Sequence, residues 1–356
     1  MRESDNGEVP PLRVIPASDV AEVLAGRHAE VVDVVRRAYQ VLGEGLGVNP
    51  PSSFLTMPSH PTSRIIALPA ALPGIAGIKW VSSWPQNVGR GLPRATAVLI
   101  LNDMETGFPM ACLEGSLISA ARTAGMAVLA ADALSASGSR PSRVGFIGTG
   151  PIGTTIWEYL AGTGWQFEQV HAFDTDKNRA IAFLDRVSGT SSDVTTVLDP
   201  SAEPLVTSCD LIVLATVAST PHLTHPGWFS HRPLVLNISL RDLSPEVILA
   251  SSNFVDDVEH CLRERTSVHL AEQRVGHRGF VNGTLDDVLC GRAKRPPDRA
   301  CVFSPFGLGV LDLAVGSFVY ETLRAGRLLT QVEGFFDGAV AAPGVKALSS
   351  AEGRLV

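Results

Sequence analysis

The stretch Arg143-Val144-Gly145-Phe146-Ile147-Gly148-Thr149-Gly150-Pro151-Ile152-Gly153 decides the fold of this chain. Its first five residues form an apolar run of strand type, the glycines indicate a turn, and residues 154–161 have helical character. In this context Gly148 permits the tight turn, Gly150 lets the backbone approach a pyrophosphate, and Gly153 lets helix and strand pack closely. The alternative is a glycine-rich turn without a ligand. We predict a dinucleotide site at a helix N-terminus, made of Gly148, Thr149, Gly150, Pro151, Ile152 and Gly153.

The residues after this turn continue the alternation of strands and helices. Apolar runs at 170–173, 210–215 and 234–238 are typical of strands that are covered on both faces. Helical stretches separate them. This alternation predicts an α/β fold with a Rossmann-type, doubly wound parallel sheet, and we expect this NAD-binding domain to span residues 132–304.

Asp174 follows the second strand of that domain, at the distance beyond the glycines where a carboxylate meets the adenosine ribose. A carboxylate there accepts hydrogen bonds from the ribose hydroxyls and repels a 2′-phosphate. We therefore predict NAD as the cofactor in preference to NADP, although the nearby Arg179 weakens the preference. The alternative is that Asp174 only caps the next helix.

The rest of the chain follows a different pattern. An amphipathic helix is expected around residues 29–42, followed by strands at 64–68, 77–82 and 97–101 that turns connect in sequence. A helix at 309–329 is expected to return to this region. We predict a smaller α+β domain for substrate binding and dimerisation from residues 1–131 and 305–336, and a poorly ordered tail at 337–356.

Composition and charge argue against several classes of protein. With 356 residues, of which 45% are hydrophobic and 18% charged, the chain can bury two sizeable cores. The 29 basic residues are outnumbered by 36 acidic ones and form no long run, so we expect no nucleic-acid partner. The polar start of the chain predicts no secretory signal and a cytoplasmic location. Arg122 and Asp132 interrupt the most apolar stretch, 115–134, which we expect to be a buried helix and not a membrane span.

We expect no metal site. The five cysteines show no CxxC spacing, so reduced and packed thiols are expected. A metalloenzyme that uses His222 and His225 is the alternative, but the two histidines have no nearby acidic third ligand.

Two basic residues lie in apolar surroundings, where a charge is costly unless it is paired. Lys79 lies within a predicted strand and Arg122 within a predicted helix. Taken singly, exposure or a salt bridge explains each of them. Taken together with the dinucleotide site, they indicate a pocket for a carboxylate.

Several blocks of this sequence resemble the ornithine cyclodeaminase/mu-crystallin family. The blocks are Gly77-Ile78-Lys79-Trp80, Gly91-Leu92-Pro93, residues 103–109, Ser119-Ala120-Ala121-Arg122-Thr123-Ala124 and Gly148-Thr149-Gly150. The resemblance runs from about residue 50 to residue 313. It implies an NAD-dependent dehydrogenase that acts on the C–N bond of an amino acid, and a homodimer.

The same resemblance implies roles for individual residues. Lys79 and Arg122 are expected to hold the substrate carboxylate, and Asp242 and Lys79 to be catalytic. Alternatively, Asp242 only caps a helix that begins near Pro245. The remaining cofactor contacts are expected from Thr216, Asn237, Ser239 and Ser304.

Within the family, Pro50-Pro51-Ser52-Ser53-Phe54, Leu92-Pro93-Arg94-Ala95 and Ser239-Leu240-Arg241-Asp242 are most similar to the 2,3-diaminopropionate biosynthesis branch. That similarity implies NAD-dependent oxidative hydrolysis of N-(1-amino-1-carboxy-2-ethyl)glutamate to 2,3-diaminopropionate and 2-oxoglutarate, for a siderophore or antibiotic precursor. This substrate carries three carboxylates, so Arg64, Arg94 and Ser53 are further candidates for substrate binding. For Arg64, a solvated strand edge is the alternative.

Other activities stay open at this point. Ornithine cyclodeaminase, alanine dehydrogenase and ketimine reductase are alternatives within the family, and Arg94 with the Ser52-Ser53 pair argues against the first of them. A non-catalytic, crystallin-like nucleotide-binding protein is the alternative of another class. The presence of Lys79, Arg122 and Asp242 together favours an enzyme.

Overall fold

The computed structural model describes residues 10–135, 140–191, 193–326 and 329–336. Two β-sheets and the helices packed on them make up this part of the chain. The strands are β1 (Leu12–Ile15), β2 (Ser53–Met57), β3 (His60–Leu72), β4 (Ile75–Ser83), β5 (Ala95–Asp103), β6 (Pro109–Glu114), β7 (Arg143–Ile147), β8 (Gln169–Phe173), β9 (Thr195–Leu198), β10 (Leu211–Leu214), β11 (Leu234–Asn237), β12 (Ser252–Val255), β13 (Val281–Thr284), β14 (Cys301–Ser304) and β15 (Gln331–Val332). The α-helices are α1 (Ala17–Leu24), α2 (His28–Gly43), α3 (Gly115–Leu134), α4 (Pro151–Gly162), α5 (Lys177–Thr190), α6 (Ala202–Ser208), α7 (Pro245–Leu249), α8 (Val258–Cys261), α9 (Ser267–Val275), α10 (Leu285–Leu289) and α11 (Gly309–Gly326).

The second half of the chain forms an eight-stranded sheet in the order β13-β12-β14-β11-β10-β7-β8-β9. All of its strand pairs are parallel. The strands β10, β11, β12 and β14 are buried along their whole length, because helices cover both faces of the sheet. The strand order proceeds outwards in two directions from β7 and β10, which is the order of a doubly wound sheet. The predicted Rossmann-type fold is confirmed.

The first half forms a seven-stranded sheet in the order β15-β1-β6-β5-β4-β3-β2. Strands β2 to β6 are an antiparallel meander, and β1 adds to it in parallel with β6. Side chains alternate between the two faces of the sheet. Lys79 and Leu99 are buried on the face that contacts α3 and α11, whereas Trp80 and Val98 are exposed on the other face.

Helix α3 lies between the two sheets and contacts β4, β5 and β11. Its length and hydropathy are those of a membrane-spanning helix, but 72% of its apolar window is buried inside the protein. The Glu114 side chain caps its first turn by accepting hydrogen bonds from the amides of Ser116 and Leu117. This core helix therefore carries Arg122 to the junction of the two halves of the chain.

Most of the predicted elements are present. The helix expected at 29–42 is α2, and the strands expected at 64–68, 77–82 and 97–101 lie within β3, β4 and β5. The strands that were not predicted are β1, β2, β6, β9, β12, β13, β14 and β15. The domain boundaries stay a prediction, and the tail at 337–356 lies outside the described residues.

Candidate active site

The turn between β7 and α4 has the backbone of a dinucleotide site. Gly148 has φ +85°, and a Cβ at this position would lie 2.6 Å from the carbonyl oxygen of Ala215. A Cβ on Gly153 would lie 2.6 Å from the carbonyl oxygen of Gly148, so glycine allows α4 to approach β7 this closely. Gly150 has open space where its Cβ would stand. No described side chain caps α4, so its first amides are available to a phosphate.

The carboxylate of Asp174 lies beside this turn, directly after β8. It accepts hydrogen bonds from the Thr149 amide at 2.9 Å, from the Thr149 hydroxyl at 3.1 Å and from the Asp176 amide at 2.9 Å. Burial alone would raise its pKa, but these hydrogen bonds outweigh burial and hold the pKa of Asp174 below its usual value. Helix α5 is capped by Asp176 and not by Asp174. A charged carboxylate therefore stands where the sequence predicts contact with the ribose.

The other cofactor candidates share the carboxyl edge of the parallel sheet. Thr149, Pro151 and Ile152 follow β7, Thr216 follows β10, Asn237 and Ser239 come at the end of β11, and Ser304 ends β14. The strand order places β8, β7, β10, β11 and β14 side by side. Nδ2 of Asn237 donates to Oγ of Ser304 at 3.1 Å, whereas its buried Oδ1 has no partner among the described residues. A buried acceptor without a partner fits a ligand that donates a hydrogen bond here.

Lys79 and Arg122 converge on Asp312, a residue that the sequence analysis did not select. Nζ of Lys79 lies 2.7 Å from Oδ2 of Asp312, and Nε of Arg122 lies 3.2 Å from Oδ1. Nζ of Lys79 also donates to Oγ of Ser119 at 3.1 Å. Strand β4 supplies Lys79, helix α3 supplies Arg122, and helix α11 supplies Asp312. The C-terminal helix α11 therefore provides the anion that pairs with both buried cations.

The electrostatics of these three charges favour an incoming anion. Burial lowers the pKa of Lys79 to about 8, Asp312 opposes the shift, and Arg122 adds to it. Burial alone would raise the pKa of Asp312, but Arg122 and Lys79 outweigh it and hold that pKa below its usual value. Two cations therefore share one carboxylate, which leaves positive charge for a carboxylate of the substrate.

A cavity of about 220 Å³ opens beside these charges. Its polar wall includes Arg64, Lys79, Ser119, Arg122 and Glu264, and its apolar wall includes Phe54, Leu68 and Phe306. Gly307 also lines the cavity, and a Cβ on Gly307 would lie 2.8 Å from Nη1 of Arg122. The absence of a side chain at this glycine therefore leaves room for the guanidinium.

Arg64 extends the positive charge of the cavity along the sheet. Lys79 pairs with Leu68 across β3 and β4, and Arg64 precedes Leu68 by four residues, so the two cationic residues are roughly 13 Å apart along the strand. The buried Nε of Arg64 has no hydrogen-bond partner among the described residues. Burial lowers the pKa of Arg64, Glu264 opposes this shift, and the nearby Arg94 adds to it.

Two predicted substrate residues are placed differently from the expectation. Ser53 does not line the cavity, because side chains alternate along an extended strand and Ser52 and Phe54 are the neighbours that face it. Ser52 is therefore the serine that lines the cavity, and a substrate contact of Ser53 stays a prediction. Arg94 does not line the cavity either, but its charge acts on Arg64.

Asp242 lies in the loop after β11 and is fully buried. The hydroxyls of Thr216 and Ser239 donate to its carboxylate, and Nε2 of His222 lies 2.7 Å from Oδ1. Helix α7 has Ser244 and not Asp242 as its N-cap residue. The carboxylate is thus held by three side chains from two loops at the sheet edge.

The expected convergence of Asp242 with Lys79 and Arg122 is incomplete. In the described ranges, Asp242 contacts neither of these cations, whereas Leu240, two residues earlier, lines the cavity. In the sequence, His222 stands out only as a possible metal ligand, because a contact with Asp242, twenty residues further along the chain, is not evident from the pattern. Within the described part of the chain, no group of three or more His, Cys, Asp or Glu side chains could hold a metal ion.

Comparison with known proteins gives relatives over almost the whole chain. The N-((2S)-2-amino-2-carboxyethyl)-L-glutamate dehydrogenase of Staphylococcus aureus is 28% identical over 316 residues, covering 85% of this chain and 93% of that protein. The alanine dehydrogenase of Archaeoglobus fulgidus is 27% identical over 316 residues, covering 86% and 94%. A solved archaeal alanine dehydrogenase dimer with bound NAD superimposes with a TM-score of 0.82 at 25% identity, covering 91% and 99%.

The names of these relatives refer to different substrates. The family profile that describes them matches residues 14–327 of this sequence. The chain belongs to the ornithine cyclodeaminase/mu-crystallin family.

Proposed function

We propose that this protein is an NAD-dependent dehydrogenase that oxidises N-(1-amino-1-carboxy-2-ethyl)glutamate and hydrolyses the product to 2,3-diaminopropionate and 2-oxoglutarate. The S. aureus relative is named for the same compound. The A. fulgidus relative is named for alanine, so the family alone does not identify the substrate.

One observation carries the choice of substrate. Lys79 and Arg122 share one place in the wall of the cavity, and the backbone of Arg64 lies roughly 13 Å further along the same strands. The buried Nε of Arg64 has no described partner. Two separate cationic points fit a ligand with at least two carboxylates. Ornithine and alanine have a single carboxylate and would leave the half-buried Arg64 without an anionic ligand, which is costly for a group whose Nε is shielded from water.

The carboxyl edge of the parallel sheet fits NAD. The open space at Gly150 and the uncapped first turn of α4 suit the pyrophosphate. Asp174 suits the adenosine ribose. The Oδ1 atom of Asn237, which has no partner among the described residues, suits the nicotinamide half, with Thr216, Ser239 and Ser304 nearby. When bound, NAD supplies the hydride acceptor of the reaction.

The chain's own residues orient the substrate and manage protons. Lys79 and Arg122 hold the α-carboxylate of the glutamate half, which fixes the α-carbon that loses the hydride. Loss of that hydride and of the amine proton leaves a C=N bond. Water adds to this carbon, and cleavage of the C–N bond releases the two products. One substrate, one NAD⁺ and one water thus give 2-oxoglutarate, 2,3-diaminopropionate, NADH and one proton.

Asp242 is our candidate for the base that takes a proton from the attacking water. Its carboxylate is fully buried, so it needs a partner through which protons reach the solvent. His222 suits this role, because it contacts Asp242 and its side chain is 36% exposed.

We also propose a homodimer formed through the outer face of the seven-stranded sheet. Val14, Trp80 and Val98 are exposed there, and Ile78 and Ile100 lie on the same face in cross-strand register. An apolar sheet face of this kind is expected to be covered by a partner. The archaeal alanine dehydrogenase is described as a dimer. Light scattering of the purified protein should give twice the chain mass.

The decisive test of the activity is incubation with NAD and single candidate substrates, with NADH absorbance and mass spectrometry of the products. We expect 2-oxoglutarate and 2,3-diaminopropionate from the glutamate adduct. Proline from ornithine, or NADH formation from alanine at a higher kcat/KM, would refute the substrate and leave the family assignment intact. An Asp242→Asn variant with normal turnover would remove Asp242 from the mechanism.

A further inference from the structure

Two opposite charges face the cavity without forming a pair. Arg64 and Glu264 both line it. In the described part of the chain, neither side chain has an ion pair within 4 Å or a side-chain hydrogen bond. The two side chains are nevertheless close enough for the charge of Glu264 to raise the pKa of Arg64 against the effect of burial. A guanidinium and a carboxylate that lie near each other, but apart, can bind the two halves of one zwitterion.

The backbone presents Glu264 to the cavity in an unusual way. Glu264 and Arg265 have φ values of 52° and 55°, in the left-handed region that side chains rarely adopt. The neighbouring loop holds this turn, because Arg241 donates to the carbonyl oxygen of Glu264 and the Arg265 amide donates to Nδ1 of His269 at 3.1 Å. Such conformations persist only where the surroundings hold them, and they are concentrated at ligand sites.

Lys79 and Arg122, the other cations in the wall of the cavity, have a different charge balance from Arg64 and Glu264. Lys79 and Arg122 share Asp312, so that group has a surplus of positive charge and suits a carboxylate alone. Of the charged side chains that line the cavity at this second place, Arg64 is positive and Glu264 is negative, while Arg94 and Arg241 add positive charge from outside the lining. One lining charge of each sign suits a carboxylate together with an ammonium group. The cavity therefore suits a ligand that has a carboxylate alone at one end and an amino-acid head group, with both a carboxylate and an ammonium, at the other.

We propose that Arg64 and Glu264 form a clamp for a second amino-acid head group, with Arg64 on its carboxylate and Glu264 on its ammonium. This inference rests on the proposed function and deepens it, because the diaminopropionate half of the substrate carries such a head group. Glu264 is then a specificity-determining residue, since it selects for an amine that takes no part in hydride transfer.

The test compares two substrates that differ only in that amine, N-(2-amino-2-carboxyethyl)glutamate and N-(2-carboxyethyl)glutamate. We expect the unmodified protein to prefer the first by about 10- to 100-fold in kcat/KM, the range of one hydrogen bond between charged groups. In Glu264→Gln, we expect this preference to fall to about one through KM, with the second substrate unaffected. Glu259→Gln, an exposed glutamate before the same turn, is the matched control and should keep the preference.

A second arm uses Arg64→Met with N-(2-aminoethyl)glutamate, which lacks the distal carboxylate. The variant should lose affinity for the complete substrate and not for this analogue, and NADH binding should be unchanged in every variant. Turnover of the complete substrate with an unchanged preference in Glu264→Gln overturns the clamp alone. Turnover of neither substrate by the unmodified protein overturns the proposed function as well.

Discussion

Asp312→Asn tests the charge cluster to which we assign the substrate carboxylate. The change keeps the shape of the side chain and removes the anion that Lys79 and Arg122 share at 2.7 and 3.2 Å. Removing one partner of a buried charge pair costs about 3–5 kcal/mol, because the remaining charge is left without compensation. Asp312 has no exposed surface, so water cannot replace it. We expect the free energy of unfolding at pH 7 to fall by about this amount.

The size of this loss should depend on pH, because Lys79 can lose its charge within the range of the measurement. The pKa of Lys79 is about 8 in the folded protein, against 10.5 for an exposed lysine. Since the folded pKa is the lower one, the unfolded chain binds more protons between these values, and the contribution of Lys79 to stability rises with pH in that window. Without Asp312, we expect Lys79 to be neutral in the folded variant, so the variant lacks a proton that the unmodified protein still binds at pH 7. Because pH 7 lies one unit below the pKa of about 8, this adds about 1.4 kcal/mol to the destabilisation at pH 7. It adds almost nothing at pH 9, where Lys79 is neutral in both proteins. The effect of the substitution should therefore be about 1 kcal/mol smaller at pH 9.

Urea unfolding of the unliganded protein, followed by tryptophan fluorescence and circular dichroism at pH 7 and pH 9, measures both effects. Asp210→Asn is the matched control, because Asp210 also pairs with an arginine, Arg143, but at a partly exposed site. Its effect should stay below about 1 kcal/mol at both pH values. The reasoning is refuted if Asp312→Asn is no more destabilising than this control, or if its effect is larger at pH 9.

Three further predictions follow from the site. Gly150→Ala should keep the thermal stability but weaken NADH binding on the order of tenfold, whereas Gly153→Ala should impair both, because its Cβ would meet a backbone oxygen at 2.6 Å. NADH fluorescence titrations and melting curves measure the two properties, and the same pattern of loss in both variants would contradict this prediction. The affinity for 2-oxoglutarate should fall as pH rises through about 8, where Lys79 loses its charge, and calorimetry on Lys79→Met should show no such step. Gly307→Ala should crowd Arg122 and raise KM on the order of tenfold with NADH affinity unchanged; a normal KM would show that the guanidinium has other room.

Local patterns were sufficient for the nucleotide-binding half. A strand, three glycines with fixed spacing and a carboxylate after the next strand form one unit, so Gly148 and Asp174 are adjacent in space for reasons visible within 32 residues. The strands β7, β8, β10 and β11 were equally clear, because they are continuous apolar runs. The buried strands β12 and β14 were not predicted, since each contains polar residues.

The charge cluster could not be predicted in the same way. Asp312 is 233 residues from Lys79 and 190 from Arg122 in the chain, and only the return of α11 onto β4 brings them together. An aspartate in the apolar stretch 309–315 was the available signal. His222 and Glu264 were missed for a related reason, since loops place them and loop geometry follows no simple period. Ser52 lines the cavity and Ser53 does not, because a shift of one residue reverses the face of a strand.

The central claim is that hydride leaves the α-carbon of the glutamate half of the substrate, held by Lys79 and Arg122. Substrate deuterated at that carbon, incubated with NAD and followed by mass spectrometry, tests it most directly. We expect one deuterium to appear in the reduced cofactor and unlabelled 2,3-diaminopropionate to be released with 2-oxoglutarate. Unlabelled NADH, or deuterium retained in a product, would contradict the account.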